Sequence, residues 1–139
     1  MLFATSTPEL LAAYDDQLRG AERSYLPPGV HLEPDGPIVR VMGHQRGFVS
    51  APPDLELNGS SVDALIARQR DFFAARGEAV EWKTRGHDQP ADLPDRLVAA
   101  GFVPEPAETV VVAATRDLAR ADPPRPDGAP TFNEGFLFD

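Results

Sequence analysis

An α/β domain is the fold class this sequence predicts, on three observations. Apolar residues recur at helical spacing over Val62–Arg76, they alternate with polar ones over Val80–Thr84, and β-rich runs bounded by turn residues fill the region from Val30 to Ser50. At 139 residues the chain has the length of one domain, enough to bury a core without covalent staples.

In order along the chain, Met1–Thr5 reads as a short first strand. Thr7 then caps a helix with Pro8 at its first position, where a missing amide proton does no harm. Leu10, Leu11, Tyr14 and Leu18 give that helix one apolar face, and Gly20 ends it. Three strands are expected near Val30–Glu33, Pro37–Met42 and Gly47–Ser50, the first two separated by the turn signal Pro34-Asp35-Gly36. Pro52-Pro53 breaks the chain, and Asn58-Gly59-Ser60-Ser61 leads into the long helix carrying Val62, Leu65, Ile66, Phe72 and Phe73, which Gly77 stops. Val80, Trp82 and Thr84 form one face of the next strand, and Phe72 and Trp82 are expected to be buried between sheet and long helix. Asp92 caps a short helix with Leu93, Leu97 and Ala100. Phe102-Val103 and Thr109–Ala113 then make a hairpin through Pro104-Glu105-Pro106, its second arm apolar on both faces and so central in the sheet.

Two units follow from composition: a folded domain over 1–116, and a linker and tail over 117–139. Asp122–Pro130 is proline-rich, whereas Thr131–Asp139 holds Phe132, Phe136, Leu137 and Phe138, more apolar bulk than a disordered end needs. As extended chain the tail is expected to add a strand to a sheet edge, its own or a neighbour's.

Composition also excludes function classes. With no cysteine there are no disulfides, thiolate metal sites or cysteine nucleophiles. The formal charge of -9 repels nucleic acid and anionic membranes and attracts cationic amines. No apolar run approaches the roughly 20 residues of a membrane span, and Met1–Ser6 lacks the basic start of a secretory signal, so the expected location is cytoplasmic. His31, His44 and His87 show no metal-ligand spacing, and Ser60 and Ser61 suit capping better than nucleophilic catalysis.

Ser61–Ala113, and above all the tract Val80–Phe102, resembles the second half of the GCN5-related N-acetyltransferase (GNAT) family. The whole succession of elements over about 1–115 is similar to it, without the usual second helix. The tract Glu81-Trp82-Lys83-Thr84 with Gly86-His87-Asp88 and Asp92-Leu93-Pro94 resembles, more narrowly, the N-terminal GNAT-like half of longer actinobacterial-type acetyltransferases, which precedes an orthodox catalytic half.

The resemblance implies a mixed, mostly antiparallel sheet with helices on both faces, and acetyl-CoA held in the splay between the strands Gly47–Ser50 and Ala79–Thr84. It implies acetyl transfer to a small amine, with Glu81 or His87 as general base and the amides of Asn58, Gly59, Ser60, Ser61 and Val62 facing the pyrophosphate. The family's phosphate loop, [QR]-x-x-G-x-[GA], is degenerate here: one glycine, no Arg or Gln at its head, and Asp54, Glu56 and Asp63 close by. Two roles therefore stand side by side, an acetyltransferase and a non-catalytic GNAT-like module that forms a homodimer or binds a partner GNAT domain. Glu81 and Lys83 equally fit a solvated strand face, and His87-Asp88 the polarity of a loop.

Overall fold

A computed structural model describes residues 6–20, 26–43, 46–107 and 134–138. The first strand expected at Met1–Thr5 and the hairpin arm expected at Thr109–Ala113 lie outside these residues.

Helix α1 (Thr7–Ala13) runs directly into a π-helical stretch, Tyr14–Leu18. Its cap is Ser6 rather than Thr7: the Ser6 hydroxyl accepts the Glu9 amide at 3.3 Å, so Thr7 is already helical. Of the apolar face read for this helix only Tyr14 is buried, and Leu18 is 58% exposed.

Among the described residues six strands follow: β1 (His31–Asp35), β2 (Ile38–Met42), β3 (Gly47–Ser50), β4 (Val80–Thr84), β5 (Val103–Pro104) and β6 (Glu134–Phe138), with helices α2 (Ser60–Ala75) and α3 (Leu93–Ala99) between them. They form one mixed sheet in the order β1-β2-β3-β4-β6-β5, and β3 and β4 are its single parallel pair among the described residues. Both outer strands resist further pairing, β1 through Pro34 and the charged Glu33, β5 through its shortness and Pro104.

The period of two along each strand decides which side chains meet the helices. Ile38, Val49, Val80, Trp82 and Phe136 share one face and pack against Val62, Leu65, Ile66 and Phe73 of α2 and Leu93 and Leu97 of α3. Gly47 is required on that face because a Cβ there would overlap the Phe73 ring. Phe73, not Phe72, is therefore the phenylalanine that fills the core. Phe72 is half-buried, edge-on to Phe73 at 5.1 Å and stacked 4.0 Å beneath the Arg40 guanidinium.

The last strand comes from the tail. Glu134–Phe138 lies between β4 and β5, antiparallel to both, with Trp82 opposite Phe136 and Val103 opposite Leu137. Phe136 is 2% exposed, and Phe138 packs on Phe102 with ring centres 5.6 Å apart.

Candidate functional site

The regular ladder between the parallel strands β3 and β4 ends at Val49 and Trp82, and the two chains meet again only at the bridge between Asp54 and Gln89. Between those two points the strand ends leave backbone carbonyls without a ladder partner, and a cation from elsewhere takes them up. Arg19, which follows the π-helical stretch, donates from Nε to the Ala51 carbonyl at 2.9 Å and from one terminal nitrogen to the Pro52 carbonyl at 3.2 Å. Its two terminal nitrogens donate to both oxygens of Asp88 at 2.6 and 2.9 Å, a fork-to-fork pair. The side chains of Arg19 and Asp88 are 3% and 5% exposed, so this is a desolvated ion pair whose remaining hydrogen-bonding capacity is filled by backbone.

The neighbours of this pair come from the same two elements. Asp15, four residues before Arg19, accepts from it at 3.4 Å, and Asp15 Oδ2 lies 2.8 Å from His87 Nε2. Asp88 also accepts the Arg85 amide at 3.0 Å, which closes the turn after β4, and Arg85 Nε donates to the Tyr14 hydroxyl at 3.2 Å. Tyr14, Asp15 and Arg19 are thereby joined to Arg85, His87 and Asp88 in one polar corner at the carboxyl end of β4.

The expected base candidates part company here. His87 belongs to this corner through Asp15. Glu81, in the middle of β4 on the face away from α2 and α3, is instead held by Arg46 at 3.0 Å.

At the start of α2, Gly59 is the cap residue, with φ 54° and ψ -129°, a conformation that suits a residue without Cβ, and no side chain caps the helix. Asn58, Ser60 and Ser61 are exposed, while the Val62 side chain is fully buried. The Ser61 amide is already bonded to the Asn58 carbonyl at 3.2 Å.

A residue not foreseen in the sequence stands at this terminus: Arg96 of α3 donates to the Gly59 carbonyl at 3.3 Å and to both oxygens of Asp63 at 2.9 and 3.0 Å. Asp63 raises the Arg96 pKa above its ordinary value by accepting this hydrogen bond. Asp54, another of the nearby acids, turns back to accept the Glu56 amide at 2.8 Å. Asp92, read as the cap of α3, occupies that position but offers its carboxylate to Arg96 at 3.0 Å instead.

A second polar cluster joins β1 and β2 to α2. Asp35 accepts from Arg40 at 3.0 Å, from Arg68 at 3.1 and 3.3 Å and from Gln69 at 2.7 Å. The hydrogen bond from Arg68 is the main cause holding the Asp35 carboxyl below the usual carboxylate range; burial opposes it, and Gln69 and the Arg40 charge add to the lowering. Gln69, fully buried, also accepts from Arg40 at 2.7 Å and donates to the Leu65 carbonyl at 3.1 Å.

Among the described residues no group of acids and histidines is placed to hold a metal ion, and no helix is long and apolar enough to cross a membrane. Comparison of the chain with family models, curated proteins and solved structures gives no match. The described residues form an α/β fold with a six-stranded mixed sheet.

Proposed function

We propose that this chain is a GNAT-type module that does not hold acetyl-CoA and serves by packing against a partner domain. The observation that carries the reading is the Arg19 guanidinium lying between the diverging ends of β3 and β4, bonded to Ala51 and Pro52 on one side and to Asp88 on the other. In the family the sequence resembles, that gap between the parallel strands is where the cofactor enters. The resemblance itself draws support from the sheet order, in which one parallel pair interrupts an otherwise antiparallel sheet and the final strand inserts beside the second member of that pair.

For acetyl-CoA to enter, the buried pair would have to open and leave Asp88 uncompensated, which is strongly unfavourable. At the other expected contact, the start of α2, the Ser61 amide is already spent and the Gly59 carbonyl and Asp63 are tied to Arg96.

The transferase reading has one observation in its favour, the His87–Asp15 pair at 2.8 Å, since a carboxylate that orients an imidazole prepares it as a general base. Calorimetric titration with acetyl-CoA separates the two. The module reading expects a dissociation constant weaker than about 100 μM, and binding near about 1 μM would overturn it. His87→Ala and Glu81→Gln would then be the variants to assay against amine acceptors.

A further inference from the structure

Acids outnumber bases in this chain, and among the described residues every arginine except Arg85 pairs with a carboxylate. Arg85 and Lys83 make no ion pair, although the formal charge is -9. These two exceptions stand two residues apart at the carboxyl end of β4, and both are half-buried.

Their hydrogen bonds leave donors over. Arg85 donates from Nε to the Tyr14 hydroxyl at 3.2 Å and from one terminal nitrogen to the Lys83 carbonyl at 3.3 Å. Of its five N–H groups three remain, and two of them lie side by side on the outer edge of the guanidinium. The bond to the Lys83 carbonyl keeps that edge close to β4. Lys83 stands one residue past Trp82, and Ser50 one residue past Val49, so both project from the sheet face away from α2 and α3, beside the widening gap between β3 and β4. Ser50 is 5% exposed, and its hydroxyl makes no hydrogen bond among the described residues. A buried hydroxyl without a partner is costly, and a ligand oxygen would satisfy it.

The surrounding charges decide what kind of anion fits. Glu81, on the same face two residues before Lys83, is held by Arg46 at 3.0 Å, and Glu105, which lies over Gly135 opposite Lys83, is held by the same guanidinium at 3.4 Å. On the loop side Asp88 is bound to Arg19. These acids are engaged elsewhere, but their charge still repels a multiply charged ligand such as phosphate. A single negative charge is favoured, and the open guanidinium edge matches the two oxygens of a planar carboxylate.

We propose that Lys83, Arg85 and Ser50 form a binding site for a small monocarboxylate, its two oxygens on the Arg85 edge and its charge shared with the Lys83 ammonium. The inference does not rest on the functional reading above, because Arg19 and Asp88 stay paired when this site fills, and its test involves no acetyl-CoA.

Lys83 is the single lysine, so reductive methylation with a 13C label, which keeps the charge, places one side-chain probe in the full chain apart from the amino terminus. Titration with sodium acetate, at ionic strength held constant with chloride, should move the Lys83 signal along a saturating curve with a dissociation constant of about 1–10 mM. Phosphate at the same ionic strength should bind at least about five-fold more weakly. Arg85→Gln should weaken acetate about ten-fold, whereas Arg68→Gln, which removes an exposed guanidinium tied to Asp35, should leave the curve unchanged. A shift that rises without saturating, phosphate binding as tight as acetate, or an Arg85→Gln chain that binds acetate as the native chain does overturns the proposal.

A second measurement needs neither label nor variant. Acylation of the Lys83 amine by a dilute amine-reactive ester, followed by mass, should slow about two-fold when acetate replaces chloride at its dissociation constant, because a bound carboxylate engages the ammonium. An unchanged rate overturns the site even if Arg85→Gln does not fold.

Discussion

Two ionic clusters in this molecule are built from the same residue types and differ in what lies at their centres. In the corner at the end of β4 the centre is a cation, Arg19, surrounded by Asp88, Asp15 and two backbone carbonyls. Between β1, β2 and α2 it is an anion, Asp35, receiving hydrogen bonds from Arg40, Arg68 and Gln69. The Arg19 and Asp88 side chains are 3% and 5% exposed, whereas Asp35 is 21% and Arg68 50% exposed. Water therefore screens and replaces partners in the second cluster and not in the first. The lesson is that the number of hydrogen bonds is a poor guide to what a cluster contributes; the cost of losing one partner is set by whether the group left behind can reach solvent.

That contrast can be broken most directly at Asp88. Asp88→Ala leaves the buried Arg19 charge with two backbone carbonyls and the 3.4 Å contact to Asp15 and should destabilise the fold by about 3–5 kcal/mol, whereas Arg19→Met with Asp88→Leu together should recover much of the loss, because the buried pair is then removed as a unit. Denaturant midpoints of the two variants decide it, and a single variant no less stable than the double would place the corner in contact with water.

An intermediate effect is expected at Gln69, the one fully buried member of the second cluster. Gln69→Leu keeps the volume but removes the acceptor for Arg40 and a donor to Asp35, so a loss of about 1–3 kcal/mol should appear in the same measurement.

The smallest change, about 1 kcal/mol or less at neutral pH, is expected for Asp35→Asn. Because the Asp35 pKa is lowered in the folded chain, its contribution is complete above the usual carboxylate range and is lost as pH falls through the lowered value. The difference in stability between the native chain and Asp35→Asn should therefore shrink on acidification, and a difference that grows toward acid would contradict the network.

Phe73 illustrates how far local pattern reaches. Both phenylalanines of α2 carry helical spacing, so periodicity alone admits either as the core residue. Gly47 decides for Phe73 by leaving room for its ring, while Phe72 is left at the margin beneath Arg40. The start of α1 was similarly legible to within a residue: the run Ser6-Thr7-Pro8 marks a cap, and the choice of Ser6 depends on a hydroxyl geometry that composition does not contain.

The candidate site was legible only in part. His87 and Asp88 stood out as loop polarity after a strand, and Gly59 as the residue that opens α2. Arg19 gave no sign of its role except its spacing from Asp15, because its partners lie 32, 33 and 69 positions away in the chain. Arg96 was hidden in the same way, reaching from α3 to Gly59 and Asp63.

The sequence by itself determined the elements whose cause is local: turn residues bounding β1 to β3, period-two alternation in β4, period-3.6 apolar spacing in α2, and a tail too apolar to stay in water. It determined as well the absence of cysteine chemistry and the acidic charge. Only the tertiary structure decided which strand lies between β4 and β5, and that the gap beyond β3 and β4 is closed by Arg19 and Asp88. The physical reason is the same for both. Strand order and buried ion pairs are contests between segments distant in the chain, settled by loop entropy, desolvation and shape together, and none of these leaves a periodic trace in the residues that take part.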